Sequence, residues 1–236
     1  IVTRVEGRLV RLDLGKAQGI MPMGEQIQGE RYYPSQRLKV YLKEIERGFR
    51  GPQLIVSRGC PELIKLLFQN EVPEMESGAV EIKDIAREPG VRTKIAVAAS
   101  AQGVDPVGTF VGGHGTRVQA VTGEIGEQEK IDIVVWASEI TEYISNALSP
   151  TKPTRVQVDS STKKAAVTVP VDQLSIAIGK AGQNVRLASK LTGYEIDIVP
   201  EAEVAQVQEV PKSKPKRKED LEGGLLDAIA EHGTKE

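Results

Sequence analysis

Residues 176–193, "IAIGKAGQNVRLASKLTG", carry a Gly-x-x-Gly break inside a stretch whose composition is otherwise helical. The same break occurs 67 positions earlier, within "TFVGGHGTRVQAVTGEIG" at residues 109–126. In both copies an apolar residue precedes the first glycine, and a valine is the third residue after the last. A glycine pair at this spacing predicts two helices that meet at a tight loop. Its repetition predicts two copies of one structural unit.

The sequence around each break repeats as well. An Ile-Asp-Ile-Val strand occurs at residues 131–134 and again at 196–199, an offset of 65. A helical pattern and two strand patterns precede each break, so the order helix, strand, strand, helix, break, helix, strand occurs twice. The first helix starts at Pro61, and its predicted apolar stripe comprises Leu63, Ile64, Leu67 and Phe68. Asp105 and Asp172 each stand seven residues before a break, and we expect them to cap the entering helix.

The first 58 residues have a different periodicity. "RLVRLDLG" at 8–15, "RLKVYLKEI" at 37–45 and "PQLIVSR" at 52–58 alternate as strands do, and the second run predicts Leu38, Val40 and Leu42 on one face. Short strands between Gly and Pro turns are typical of a small barrel. We therefore predict four segments. They are an all-β barrel at 1–58, a first α+β module at 59–137, a second at 138–200, and a polar, disordered tail at 201–236.

Composition narrows the class of protein. The chain has 236 residues and is 39% hydrophobic, which favours several small cores over one large core. A single cysteine, Cys60, excludes a disulfide framework and is typical of a reducing cytoplasm. No apolar run approaches the roughly 18 residues of a membrane span, and no charged-then-apolar leader opens the chain. We expect a cytoplasmic protein with no membrane partner.

Charge is distributed unevenly along the chain. Residues 1–58 carry 11 Lys and Arg against 6 Asp and Glu, and residues 149–200 carry 7 against 4. Between them, residues 59–148 carry 7 against 14. Basic segments on both sides of an acidic one predict a polyanionic partner that binds particular faces. Ordinary scatter of surface charge remains the alternative explanation.

The two breaks suggest a chemistry. A loop of Gly-x-x-Gly lets another backbone approach closely, and the helix that starts there presents N–H groups and its positive dipole end to an anion. In this order of elements the loop resembles that of the K-homology (KH) module in its helix-first (type II) form, which clamps about four nucleotides of a single strand. The candidate RNA-binding residues are Gly112, Gly113, His114, Gly115 and Arg117 in the first copy, and Gly179, Lys180, Ala181, Gly182, Asn184, Arg186 and Lys190 in the second.

No catalytic pattern is present. "AIGKAG" differs from a phosphate-binding P-loop because Leu174 stands where a glycine is required and Ala181 replaces the Ser or Thr after the lysine. Cys60 precedes a helix start, where a thiol pKa can fall, but no histidine is near it in sequence. His114 has only the distant His232 as a second histidine, so a metal site is not expected. We predict no enzyme activity, no metal and no cofactor.

Several stretches together resemble the bacterial NusA family of transcription elongation factors. They are "EVPE", "AREPG", "DPVG", "NALSP", "AIGKAGQNVRLASKLTG" and "IDIV", and they extend the resemblance over about residues 1–200. The family implies an OB-type barrel of the S-one type, here truncated at its start, followed by two KH domains. It also implies binding of single-stranded nascent RNA at RNA polymerase, with effects on pausing, termination and antitermination. Polymerase contact is implied mainly through an N-terminal domain that this sequence lacks.

The sequence departs from the family pattern at two places, and two alternative functions stay open. Barrels of this type usually present an aromatic on their second strand where this chain has Arg11, so Arg11 becomes the barrel's candidate RNA contact. The first loop lacks the usual basic residue. The protein could instead be a ribosome-associated KH protein, or an adaptor whose acidic middle segment docks a basic partner without RNA.

Only residues 136–139 separate the two modules. We therefore expect the modules to pack as one rigid unit.

Overall fold

The computed structural model describes residues 1–48 and 51–201. The tail predicted at 201–236 therefore lies outside the described residues, except for residue 201. Ile1–Glu201 form a single unit, in which three sheets of five, three and three strands are joined by helices. None of the helices in the described ranges has the length and hydropathy of a bilayer-crossing segment.

The N-terminal sheet contains the alternating runs that the sequence predicts, together with a strand at residues 18–22 that was not predicted. Its strands are β1 (Val2–Glu6), β2 (Leu9–Asp13), β3 (Gln18–Pro22), β4 (Tyr41–Gly48) and β5 (Gly51–Ser57). They lie in the order β1-β2-β3-β5-β4, and only the β3–β5 pair is parallel. Val10 and Leu12 are buried while Arg11 and Asp13 are exposed, because successive side chains point to opposite faces.

One alternation does not continue as predicted. Leu38 and Val40 pack against the core of this sheet, but Leu42 is 47% exposed. β4 begins only at Tyr41, so Leu38 and Val40 belong to the connection that precedes it. The prediction that the three residues share a face is wrong, because the period of two holds only within a continuous strand.

The first module follows the predicted order of elements. They are α1 (Pro61–Glu71), β6 (Val80–Glu88), β7 (Arg92–Ala99), α2 (Pro106–Val111), α3 (Thr116–Ile125) and β8 (Lys130–Val135). β7 lies at the centre of the sheet, antiparallel to β6 and parallel to β8. The predicted stripe of α1 is buried, which confirms that helix, and Phe68 packs edge to face on Phe110 of α2 at 5.5 Å between ring centroids.

The second module repeats this order with shorter strands. Its elements are α4 (Ile140–Ala147), β9 (Arg155–Asp159), β10 (Lys164–Val169), α5 (Leu174–Ile178), α6 (Gln183–Thr192) and β11 (Glu195–Pro200). The capping prediction is corrected in both modules. Asp105 is the N-cap residue of α2 but makes no side-chain capping bond, and Asp172 lies inside a short 3-10 turn that precedes α5.

The two modules share one hydrophobic core. Ala86, Ala96 and Val134 of the first module belong to the same buried cluster as residues of α4, α6 and the second sheet. β7 is consequently buried on both faces, and even Lys94 is 0% exposed. The Nζ of Lys94 donates to the backbone oxygen of Ser149 at 3.1 Å, and burial lowers its pKa although Asp132 lies nearby. The predicted packing of the modules as one unit is confirmed.

Two buried arginines link the N-terminal sheet to the first module. Arg58, 1% exposed, donates to both carboxylate oxygens of Glu30 at 2.9 and 2.7 Å and to the backbone oxygen of Glu124 at 2.8 Å. Arg87 pairs with Glu129 inside the first module at 2.7 and 2.9 Å, and its Nη1 donates to the backbone oxygen of Arg58 at 2.8 Å. A Cβ on Gly90 would lie 2.2 Å from the backbone oxygen of Gln28, so the turn between β6 and β7 packs closely on the segment that follows β3. Such bidentate pairs are directional and specify one arrangement.

Candidate nucleic-acid interface

The two Gly-x-x-Gly loops have the same backbone. We call residues 112–115 the first loop and residues 179–182 the second loop. The leading glycine has φ/ψ of 75°/169° in the first loop and 76°/170° in the second. The third residue, His114 or Ala181, is left-handed in both, at 53°/23° and 52°/30°. The last glycine has φ of 77° and 72°. The repeated sequence therefore specifies a repeated conformation.

Only some positions of the loops require glycine. A Cβ on Gly112 would lie 2.8 Å from the Cγ of Arg117, and a Cβ on Gly179 would lie 2.8 Å from the Cβ and backbone N of Asn184. The leading glycine thus allows the two helices to approach and also adopts a φ that other residues avoid. Gly113 has open space around it, and the second loop places Lys180 at that position.

Each loop delivers the start of a ten-residue helix to the surface. α3 follows the first loop and α6 the second, so their N-terminal N–H groups lie beside the loops. His114, Lys180 and Ala181 are exposed. Lys180 makes no ion pair with any residue in the described ranges, which leaves its ammonium group available to an anion. This arrangement is able to bind a phosphate.

Two of the predicted RNA ligands instead hold the helices together. Arg117 and Asn184 occupy the same position, five residues after the leading glycine. Arg117 donates to the backbone oxygen of Thr109 at 2.8 Å and pairs with Glu74, and Asn184 donates to the backbone oxygen of Ala177 at 3.0 Å. Asn184 is 3% exposed, so we withdraw its side chain from the candidate surface. The physical reason is that a buried amide must be satisfied by nearby carbonyls.

The remaining predicted cations are exposed but engaged. Arg186 donates to both oxygens of Glu88 at 2.6 and 2.9 Å, and the Nζ of Lys190 lies 3.8 Å from the same carboxylate. Arg11 lies on β2, in a different sheet from either loop, and its Nε donates to Glu6 at 3.0 Å. These pairs leave Lys180 as the cation of the second loop with no carboxylate partner among the described residues.

Two clefts meet between the modules. One, of about 320 Å³, lies between Val107 of α2, the edge strand β8 and the residues after α4. The other, of about 350 Å³, lies beside the second loop and includes Lys180 together with Arg92 of the first module. Pro150 lines both clefts. The geometry brings the second loop together with a cation that the sequence pattern did not single out.

The sequence-based list of candidate RNA-binding residues also omits two exposed isoleucines next to the second loop. Ile176 is 50% exposed and Ile178 is 38% exposed, while Ala177 between them is buried. The sequence does contain a signal, because a five-residue helix buries one side and here the small residue takes the inner side. Exposed apolar side chains beside a phosphate cradle can contact nucleotide bases.

The candidate groups for metal binding or nucleophilic chemistry are the His, Cys, Asp and Glu side chains. Across residues 1–48 and 51–201, no three His, Cys, Asp or Glu side chains gather as a metal site would require. Burial raises the pKa of the Cys60 thiol, with smaller opposing effects from hydrogen bonds of Ser57 and Leu63. A raised pKa keeps the thiol protonated and makes it a poor nucleophile.

Comparison with known proteins matches the two modules in sequence. The model for the NusA-like first KH domain matches residues 58–136, and the model for the NusA-like second KH domain matches residues 140–206. A solved structure titled "Crystal structure of APE1850" aligns with a TM-score of 0.43 at 23% identity, over 58% of this chain and 95% of that chain.

Curated relatives match over most of the chain. The transcription termination/antitermination protein NusA of Thermus thermophilus is 49% identical over 210 residues, which are 89% of this chain and 54% of the relative. The protein of the same name in Bacillus subtilis is 47% identical over 212 residues, 90% of this chain and 57% of the relative. The chain thus spans about half the length of these relatives. With both KH domains matched in order and close to half of the aligned residues identical, the chain belongs to the NusA family.

Proposed function

We propose that the chain binds single-stranded RNA across both loops and is the RNA-binding part of a transcription termination and antitermination factor. The observation that carries this proposal is the pair of loops, whose backbones agree within a few degrees and each of which opens a ten-residue helix. A helix N-terminus beside a glycine loop attracts phosphate. Two such loops on one rigid unit hold two parts of the same strand, which raises affinity beyond that of either loop.

The clefts between the modules support a continuous path. Pro150 borders both clefts. Lys180 supplies positive charge to the cleft beside the second loop, and Arg92, which pairs with Asp132 at 3.1 Å, lines the same cleft. The leading glycines leave room for one backbone, and we expect duplex RNA to be too wide for a groove of this kind. Ile176 and Ile178 offer apolar surface to bases while the cations contact phosphates.

The finer assignments belong to the same proposal. We assign the five-stranded sheet to an OB-type barrel of the S-one type that extends the RNA surface through Arg11, at residues 1–58. The KH domains then occupy 59–137 and 138–200. The relatives' names support a role for the complete factor at RNA polymerase, with other transcription factors as further partners. We propose a cytoplasmic, non-catalytic role that needs no cofactor.

Titration of a fluorescein-labelled 12-nucleotide single-stranded RNA, followed by anisotropy at several salt concentrations, tests the proposal. We expect the logarithm of the association constant to fall linearly with the logarithm of the salt concentration. The slope should be about −0.7 for each phosphate contacted. Unlabelled single-stranded RNA should compete far better than a duplex of the same length. Equal competition by duplex would contradict a single-strand clamp. A salt slope near zero would favour the alternative of a protein adaptor.

A further inference from the structure

One residue of the first module contacts the helix that follows the second loop. Glu88 is the last residue of β6, and its carboxylate accepts hydrogen bonds from Nε and Nη2 of Arg186 at 2.6 and 2.9 Å. Two parallel bonds of this kind fix the plane of the guanidinium as well as its position. The Glu88 side chain is only 18% exposed, and its pKa is lowered mainly by the hydrogen bonds from Arg186.

The third nitrogen of the same guanidinium holds the loop. Nη1 of Arg186 donates to the backbone oxygen of Ala181 at 3.2 Å. The peptide that joins Ala181 to Gly182 is then fixed at both ends, because the N–H of Gly182 donates to the backbone oxygen of Gly179 at 3.1 Å. Ala181 keeps a left-handed φ of 52° without being glycine. Such a conformation is costly for a residue with a Cβ and persists where its surroundings enforce it.

The first loop is supported differently. Its last glycine makes the same backbone bond, from Gly115 to Gly112 at 3.1 Å. Gln119 occupies the position of Arg186, and among the described hydrogen bonds no side chain donates to the backbone oxygen of His114. The charged residue beside this loop, Arg117, is bound to Glu74 and to α2, within its own module. Support from another module is therefore particular to the second loop.

We propose that Glu88 is a positioning residue for RNA binding: through Arg186 it fixes the second Gly-x-x-Gly loop in the conformation that accepts phosphate. This inference rests on the proposed function. A loop held in its bound conformation loses less conformational entropy when RNA binds, and that difference appears as affinity. The RNA affinity of the second module then depends on a residue of the first.

A second role for Glu88 predicts an effect of opposite sign. Its carboxylate neutralises two cations beside the loop, Arg186 and Lys190. If neutralisation were its only effect, removing the charge would strengthen the attraction for phosphate. If positioning dominates, removing the charge weakens binding even though net positive charge increases. The sign of the change in affinity separates the two.

Glu88→Gln provides the main test, with Glu74→Gln as its matched control. Each removes one carboxylate from an arginine near a loop, but Arg117 does not contact its loop carbonyl. We expect Glu88→Gln to weaken binding of the 12-nucleotide RNA about three- to fivefold, and Glu74→Gln to leave it unchanged or strengthen it. Increased or unchanged affinity in Glu88→Gln would overturn the proposal. Failure of the unmodified chain to bind RNA would instead overturn the proposed function.

Three further measurements distinguish positioning from a purely structural role. In a chain whose second loop carries Lys180→Asp and Ala181→Asp, Glu88→Gln should have no additional effect on affinity, since the loop it positions is already inactive. The amide resonance of Gly182 should shift in Glu88→Gln without RNA, and that of Gly115 should not. Arg186→Lys replaces Glu88→Gln as the test if Glu88→Gln fails to fold. It keeps the charge but loses the two parallel hydrogen bonds of the guanidinium, so it should weaken RNA binding to a similar extent. Retained affinity in Arg186→Lys, or an additive effect in the inactive loop, would refute positioning.

Discussion

The first and second loops share a backbone but differ in what surrounds it. Their dihedral angles agree within a few degrees, and the leading glycine makes room for the residue five positions later in both. The second loop adds an exposed lysine and a carbonyl bound by Arg186, which pairs with Glu88 of the first module. The first loop has Gly113 and an arginine paired with Glu74 of its own module. Backbone shape is thus a property of the repeat. The charge and rigidity of each loop come from its neighbours.

Substitution of a leading glycine should have the largest effect, because both loops depend on it for their shared backbone conformation. Gly179→Ala places a Cβ 2.8 Å from Asn184 at a φ of 76°, so we expect about 2–3 kcal/mol of destabilisation in urea unfolding. Gly112→Ala should be similar, because its φ and nearest contact are nearly the same. Gly113→Ala is the control and should change stability by less than about 0.5 kcal/mol. Equal stability of Gly179→Ala and Gly113→Ala would show that the close approach is relieved elsewhere.

Reversing charge at the loops comes next. Lys180→Asp with Ala181→Asp should weaken RNA binding about tenfold, because it removes the ammonium and adds repulsion at the cradle. Gly113→Asp with His114→Asp should weaken it less, about threefold, since little attraction is lost. Aspartate tolerates the left-handed φ at the third position, so both variants should fold. Anisotropy titrations measure both, with circular dichroism to verify folding. A larger loss in the first loop would make it the main clamp.

Adding a lysine to the first loop should make it more like the second. Gly113 has open space for a side chain, and the corresponding residue of the second loop is Lys180. We expect Gly113→Lys to raise affinity about threefold and the salt slope by about 0.7. Gly113→Gln, of similar length without charge, is the control. If both variants bind equally, the gain does not come from a phosphate contact.

The smallest expected effect is the pH dependence of the contact between modules. The pKa of Glu88 is lowered from 4.5, mainly by hydrogen bonds from Arg186. Its contribution to folding is therefore present above pH 4.5 and is lost as pH falls through the lowered pKa. The difference in Tm between the unmodified chain and Glu88→Gln should shrink as pH is lowered from about 6 to about 3. A difference that stays constant across this range would indicate that the carboxylate contributes nothing through Arg186.

Much of the architecture was predictable from local patterns. The stripe of α1, the two strands before each break, and the duplicated helix-break-helix units follow from periodicity and glycine placement. Errors arose where an element's boundary decided the outcome, as for Leu42 at the start of β4 and Asp172 inside a 3-10 turn. Assigning a side chain to one face of a strand or helix requires the residue at which that element begins. The sequence pattern alone does not specify that residue.

The candidate site was predictable in its loops but not in its partners. The sequence by itself determined two glycine loops. Each loop requires, at its first position, a residue that lacks a Cβ and adopts a φ that other residues avoid, and only glycine meets both requirements. It did not reveal that Asn184 is buried, that Arg92 lies beside the second loop, or that Glu88 holds Arg186. Those facts depend on how the second module packs against the sheet of the first, which joins residues 98 positions apart. Backbone conformation is a local property of a few residues, whereas the partner of a charged side chain is decided only when distant elements meet.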